Sequence, residues 1–238
     1  MTHAPRPVMP YATAEDLRAA AGAFAAAPDR AAARSAAADL AWVAVDDAVA
    51  VSPLAAEVVS TARRLVEDGF RWRADAFAVV IHALDHDHVW RDLRAQVRTY
   101  RGQYDESIAR EQAVAEALQG FDGRVRDLLA DPDPETRSLA ALLLTRISPE
   151  PEADRELLLL LAGADNDDLA RGCLGRAILS LGEDGALELL ADPSPVTRYR
   201  IAHHPWELAD SAGRARVLEI LGETPLPWES WNWPAEVF

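Results

Sequence analysis

The sequence predicts an all-α protein, an α-solenoid of stacked antiparallel helix pairs, from three observations. The segment LLADPDPETR at 128–137 returns as LLADPSPVTR at 189–198, and a looser copy, LLAGADNDDLAR, occupies 160–171. Alanine-rich runs at 19–21 and 31–33 favour helix, and no run of residues alternates as a strand does. A repeat of about 30 residues is typical of helix pairs that stack because one pair alone cannot bury its apolar face.

Each copy of the repeat reads as the end of one helix, a tight turn and the start of another. Asp131 precedes Pro132, and proline disfavours helical geometry in the residue before it. Asp133 is predicted to cap the next helix, with Pro134 at its first position, where the missing N–H costs nothing. The second helix is then predicted to bury an apolar stripe: Leu139, Leu142, Leu143 and Ile147.

This turn resembles that of the HEAT-repeat family, which carries a D-x-x-P/V-x-x-R type pattern. The match is close at 131–137 and 192–198, looser at 165–171, clear over about 111–210 and weaker over 53–100. The order of features is similar to that of HEAT-like proteins of unknown function from high-GC bacteria. The resemblance implies a ladder of turn aspartates and arginines between successive repeats, which assigns structural roles to Asp131, Arg137, Arg171, Asp192 and Arg198.

The domain organisation follows from the prolines and the repeats. Residues 1–12 contain three prolines and are predicted to form a flexible arm. A single HEAT-like domain is predicted over 13–221, and an extended tryptophan-rich tail over 222–238. Helices are expected from the Thr13 cap to about 27, from 29 to about 45, over 53–68, 72–85 and 88–101, from about 105 to 118, and over 211–221.

Composition and charge limit the classes of function. The single cysteine, Cys173, falls in a predicted helix, and no apolar run reaches about 18 residues, so we expect a cytoplasmic protein without disulfides or a membrane span. Residues 1–101 carry 12 arginines and 13 acids, whereas residues 102–238 carry 12 arginines and 26 acids. The acidic half repels phosphate backbones and favours a partner with a basic surface, although a simply solvated surface has the same composition.

A row of arginines marks the predicted helix over 88–101. Its members recur at intervals of three and four residues, on one side of the helix: Arg91, Arg94, Arg98 and Arg101. Guanidinium groups make forked hydrogen bonds to phosphates and carboxylates, so the row is a candidate binding site for a phosphate or an acidic partner. The alternative is neutralisation by acids on the adjacent helices.

Histidines at 82–88 suggest a metal hypothesis. His82 and His86 are four residues apart, which places two imidazoles on one helical face. The run also lies at a predicted helix end, where histidine and aspartate are ordinary residues, and there is no cysteine set or H-E-x-x-H sequence. The sequence therefore predicts neither a metal site nor a cofactor.

Two further groups are candidate partner contacts. Arg176, Tyr199 and Arg200 lie on the predicted second helices, which would present the inner face of the stack. Trp228, Trp231 and Trp233 concentrate large apolar area in the tail. The tail is predicted either to cap the open end of the stack or to bind a partner.

Together these features favour a protein–protein interaction module, acting as a scaffold, a regulator or an antidote-type binder. The sequence contains no P-loop, dinucleotide fingerprint or nucleophile elbow, so we predict that the protein is not an enzyme. The alternative is a HEAT-like DNA glycosylase or other nucleic-acid-binding protein that uses the Arg91–Arg101 row, with Trp72 or Trp90 stacking on a base. A HEAT-like bilin lyase is a third class, for which no chromophore-handling residue is found.

Overall fold

The computed structural model describes residues 12–46, 50–85, 105–181, 192–198 and 201. The fold is all-α, built from packed helix pairs, as predicted. The chain divides into two compact units, Met1–Ala117 and Leu118–Phe238. The predicted arm up to residue 11, the helices over 88–101 and 211–221, and the tail over 222–238 lie outside the described residues, and the single domain over 13–221 stays a prediction.

The first unit contains helices whose starts follow the predicted caps. Thr13 forms a capping box with Asp16, and the Asp29 side chain accepts from the Ala32 N–H. The helix pairs bury Phe24, Leu40 and Phe77 completely. The helices are α1 (Ala14–Ala25), α2 (Arg30–Val43), α3 (Ala55–Glu67), α4 (Arg73–Leu84) and α5 (Asp105–Ala117).

A short antiparallel bridge between α2 and α3 is an element that the sequence did not predict. Strands β1 (Val45–Asp46) and β2 (Ala50–Val51) pair with Val45 opposite Val51. The Ser52 hydroxyl donates to the Val43 carbonyl at 2.6 Å and fastens the end of this bridge to α2. Strands of two residues are too short to show alternation, so the sequence marked this region only as a break.

The second unit carries the repeats. Its helices are α6 (Asp122–Asp127), which continues into a 3₁₀ turn (Leu128–Ala130), α7 (Pro134–Ile147), α8 (Pro151–Ala164) and α9 (Asp168–Leu181), and residues 195–198 are helical. Helix α9 packs against both α7 and α8. Leu143, Leu144, Leu158, Leu174 and Ile178 are fully buried in this core.

The predicted turn chemistry is confirmed at the start of α7. The 3₁₀ turn ends at Ala130, the Asp133 side chain caps the helix by accepting from the Glu135 N–H, and Pro134 is the first helical residue. Of the predicted stripe, Leu139 and Leu143 are buried, whereas Leu142 and Ile147 are only half-buried. The turns between helices are therefore set by local chemistry that the sequence displays.

Candidate partner-binding surface

Arginines and aspartates join the successive turns of the second unit. The Arg137 guanidinium donates to both carboxylate oxygens of Asp165, with Nε–Oδ2 and Nη2–Oδ1 distances of 2.8 Å. Arg171 repeats this contact with Asp192, at 2.8 Å through Nε and 3.3 Å through Nη2. Planar fork-to-fork pairing fixes both partners in orientation, so these contacts hold neighbouring turns in register.

The same arginines also hold their own turns. Nη1 of Arg137 donates to the Asp131 carbonyl at 2.8 Å, that of Arg171 to the Asp165 carbonyl at 2.9 Å, and that of Arg198 to the Asp192 carbonyl at 2.7 Å. Arg137 and Arg171 therefore each satisfy a carbonyl that follows a helix end and has no helical partner. The residues to which the family resemblance gave structural roles lie together in this ladder.

The aspartate side chains also stabilise the turns, by accepting hydrogen bonds from the backbone. Oδ1 of Asp131, Asp165 and Asp192 each accepts the backbone N–H two residues further on, at 2.8–2.9 Å. Burial opposes ionisation of Asp165, but hydrogen bonds from Arg137 and the Asp167 N–H outweigh it and lower its pKa. Asp165 stays ionised near neutral pH and holds two turns at once.

The sequence analysis gave no structural role to three residues that make such pairs: Asp165, Arg126 and Asp154. Asp165 lies in the loosest copy of the repeat, and only its position relative to Arg171 marked it. The Arg126–Asp154 pair, with N–O distances of 2.6 and 2.9 Å, joins α6 to α8 and has no repeated motif. Hydrogen bonds from Arg126 and Ser148 outweigh the burial of Asp154 and lower its pKa.

An open groove of about 620 Å³ lies between the first two turns of the ladder. We call it the turn groove. Leu129, Leu161 and Ala164 supply apolar lining, and Pro132 and Pro134 line it beside the first turn. Its remaining lining is Ala130, Asp131, Arg137, Asp165, Asn166 and Asp167.

Two polar side chains in the turn groove keep unused hydrogen-bonding capacity within the described part of the chain. Asn166 is exposed, and its carboxamide makes no hydrogen bond there. Asp167 caps α9 with Oδ1, which accepts from the Ala170 N–H at 2.9 Å, and its Oδ2 accepts no hydrogen bond from the described residues. These groups offer a donor and acceptors to a bound molecule.

Helix α8 exposes apolar surface next to the turn groove. Of its five consecutive leucines at 157–161, only Leu158 is buried, and Leu160 is 72% exposed. Leu160 precedes Ala164 by one helical turn, so the two share a face. The apolar lining therefore continues onto a leucine that faces water.

Arg176 is the only one of the three predicted inner-face contacts that the structure describes. It lies on α9 and is half-buried, and its guanidinium makes no hydrogen bond or ion pair with the described residues. The other predicted partner contacts lie outside the described residues: Arg91, Arg94, Arg98, Arg101, Tyr199, Arg200, Trp228, Trp231 and Trp233.

Of the weak metal candidates, only His82 is described, since His86 lies outside the described residues. His82 is half-buried, and its ring centroid lies 6.1 Å from that of Trp42 in an edge-on arrangement. Among the described residues, no three histidine, cysteine, aspartate or glutamate side chains are grouped as a metal ion would require.

Two carboxylates are buried in the described part of the first unit, those of Asp75 and Glu111. Asp75 on α4 is 2% exposed, and its Oδ1 accepts from Arg34 Nε of α2 at 3.4 Å, whereas its buried Oδ2 accepts no hydrogen bond from the described residues. Burial raises the pKa of Asp75 against the opposing charges of Arg34 and Arg30. This group favours the protonated form more than an exposed aspartate does.

Trp72 precedes α4, where its Nε1 donates to the Ala27 carbonyl at 3.3 Å. The Arg71 guanidinium carbon lies 4.4 Å from the centroid of the indole ring, which is a cation–π distance. One face of the indole is therefore covered by Arg71. Base stacking, as the nucleic-acid alternative requires, would have to use the other face.

Comparison with known proteins gave no match to a family model, to a curated protein or to a solved structure. Over the described ranges, no helix combines the length and apolar character that crossing a bilayer requires.

Proposed function

We propose that this chain is a protein-binding module that presents its acidic repeats to a partner. The observation that carries the proposal is the second unit's combination of rigidly registered turns with open, partly apolar surface. The ladder pairs Arg137 with Asp165 and Arg171 with Asp192, while the turn groove and Leu160 remain open to solvent. A preorganised surface loses little conformational entropy when a partner binds.

The charge supports a partner with a basic surface. Residues 102–238 carry 12 arginines against 26 acids, and the guanidiniums of Arg126, Arg137 and Arg171 are engaged in intramolecular pairs. Such a field repels a phosphate backbone and attracts cationic surfaces. The resemblance to HEAT repeats is compatible with this role, because stacks of that kind commonly serve as binding surfaces.

The nucleic-acid alternative depends on the Arg91–Arg101 row, in the half of the chain where charges nearly balance. This alternative predicts binding that depends strongly on salt concentration. Binding through phosphates weakens steeply with salt, since each contact releases counterions.

The test is capture of the tagged intact protein from its native lysate at moderate salt, with and without nuclease, followed by mass spectrometry. The proposal expects one protein in stoichiometric amount that nuclease does not remove. Recovery of nucleic acid alone, lost after nuclease, would replace the proposal with the alternative. Arg18→Ala provides a matched control, because Arg18 lies on α1 in the first unit and is exposed.

A further inference from the structure

We infer that the turn groove binds an extended polypeptide segment that carries an arginine or lysine beside an aliphatic side chain. The inference rests on the proposed function and adds to it a site and a class of ligand. It places the contact at the turn edge of the second unit, whereas the sequence pointed to the inner face and Arg176.

The charge of the groove selects a cationic ligand. Its lining holds three carboxylates, from Asp131, Asp165 and Asp167, against the single guanidinium of Arg137. That guanidinium is committed to the ladder, because Nε, Nη1 and Nη2 all donate to Asp165 or to carbonyls of its own turn. Asp167 Oδ2, which accepts no hydrogen bond in the described residues, is the acceptor we assign to the incoming cation.

The exposed amide at Asn166 selects an extended chain. A carboxamide both donates and accepts, so it matches the paired N–H and C=O of a peptide unit. Those backbone groups are free in an extended segment and already bonded in a helix. Leu129, Leu161 and Ala164 then supply the apolar contact for one aliphatic side chain, and about 620 Å³ lies within the range of ligand pockets, roughly 300–1,000 Å³.

The test measures fluorescence anisotropy of a short labelled peptide of alternating arginine and leucine with the intact protein. A matched peptide with glutamate in place of arginine is the specificity control. Asp167→Asn removes the charge and keeps a side chain that caps a helix as well as aspartate does, so the variant is expected to fold. We expect it to raise the Kd by about threefold to tenfold, as one lost charge-assisted contact does.

Asn166→Ala is expected to raise the Kd by about threefold, since it removes the amide contacts. Glu156→Gln is the matched control, because Glu156 is an exposed acid on α8 outside the groove lining. No peptide binding would overturn the inference. Equal loss in Asp167→Asn and Glu156→Gln would also overturn it, since it would show diffuse attraction to an acidic surface.

A second copy of the chain is the competing occupant. Sedimentation of the protein with and without peptide decides this, because a dimer that the peptide dissociates would assign the groove to self-association and overturn the inference. If Asp167→Asn leaves the affinity for a native partner unchanged, the proposed protein-binding function is retained and the turn groove is excluded as the contact site. If the peptide binds specifically but no native protein partner is recovered, the turn groove is retained as a peptide site and the proposed function is rejected.

Discussion

Arg137 and Asp165 form a two-pronged ion pair 28 residues apart in sequence, with both N–O distances at 2.8 Å. The pair joins the turn before α7 to the turn before α9. The side chains are 17% and 7% exposed, so the pair is mostly removed from water. Removing one member leaves the other charge buried without its partner, which is costlier than losing an exposed pair.

Arg137→Ala should therefore lower the free energy of unfolding by about 3 kcal/mol. Thermal or urea unfolding followed by circular dichroism measures the change. Arg18→Ala is the control, because among the described residues the exposed Arg18 side chain donates only to the Ala14 carbonyl in its own helix. A loss no greater than that of Arg18→Ala would contradict the structural role of the ladder.

The ladder also predicts loss of stability in acid. The pKa of Asp165 is lowered in the folded state, and those of Asp154 and Asp168 are lowered too. A lowered folded pKa contributes stability that is fully present above the unfolded value of about 3.9 and is lost as pH falls through the folded pKa. We expect unfolding free energy to decline below about pH 4, and Asp165→Asn to make that decline shallower. A parallel decline in the variant and the parent would count against the assignment.

Asp75 predicts the opposite dependence. Burial raises its folded pKa, so its contribution is most favourable in acid and is lost as pH rises above the unfolded value through the folded pKa. Asp75→Asn should then raise Tm at neutral pH, with ~1 kcal/mol corresponding to roughly 2–4 °C for a chain of this size. The exposed Glu57 supplies the control variant Glu57→Gln. A lower Tm in Asp75→Asn at neutral pH would show that the Arg34 contact outweighs burial.

Two glycines give a matched pair for backbone conformation. Gly120 has φ +73°, and apart from its chain neighbours no described atom lies within 4 Å of the position that an alanine Cβ would take. Alanine there therefore meets conformational strain alone, of about 1–2 kcal/mol. Gly22 lies within α1 with equally open surroundings, so alanine should stabilise the protein by about 0.5–1 kcal/mol. The midpoints of chemical denaturation of the two variants should shift in opposite directions from that of the parent protein. Shifts of the same sign would contradict this account.

What the sequence predicted and what it missed differ in physical origin. Helix starts at Thr13, Asp29 and Asp133 were predictable because capping depends on residues within one turn. The burial of Asp75 and the Arg126–Asp154 pair were not, because both depend on contacts between helices. The exposure of Leu160 runs against the usual expectation for a leucine run, and only the packing of α8 reveals it.

The most direct test of the binding module is hydrogen exchange of the purified chain with its recovered partner. The account predicts slowed exchange within 122–181, where the ladder, the turn groove and Arg176 lie, with the first unit unchanged. Protection at the turns 131–137 and 165–171 would assign the turn edge, and protection confined to α7 and α9 would assign the inner face. Absence of protection throughout 122–181 in a saturated complex would contradict the account.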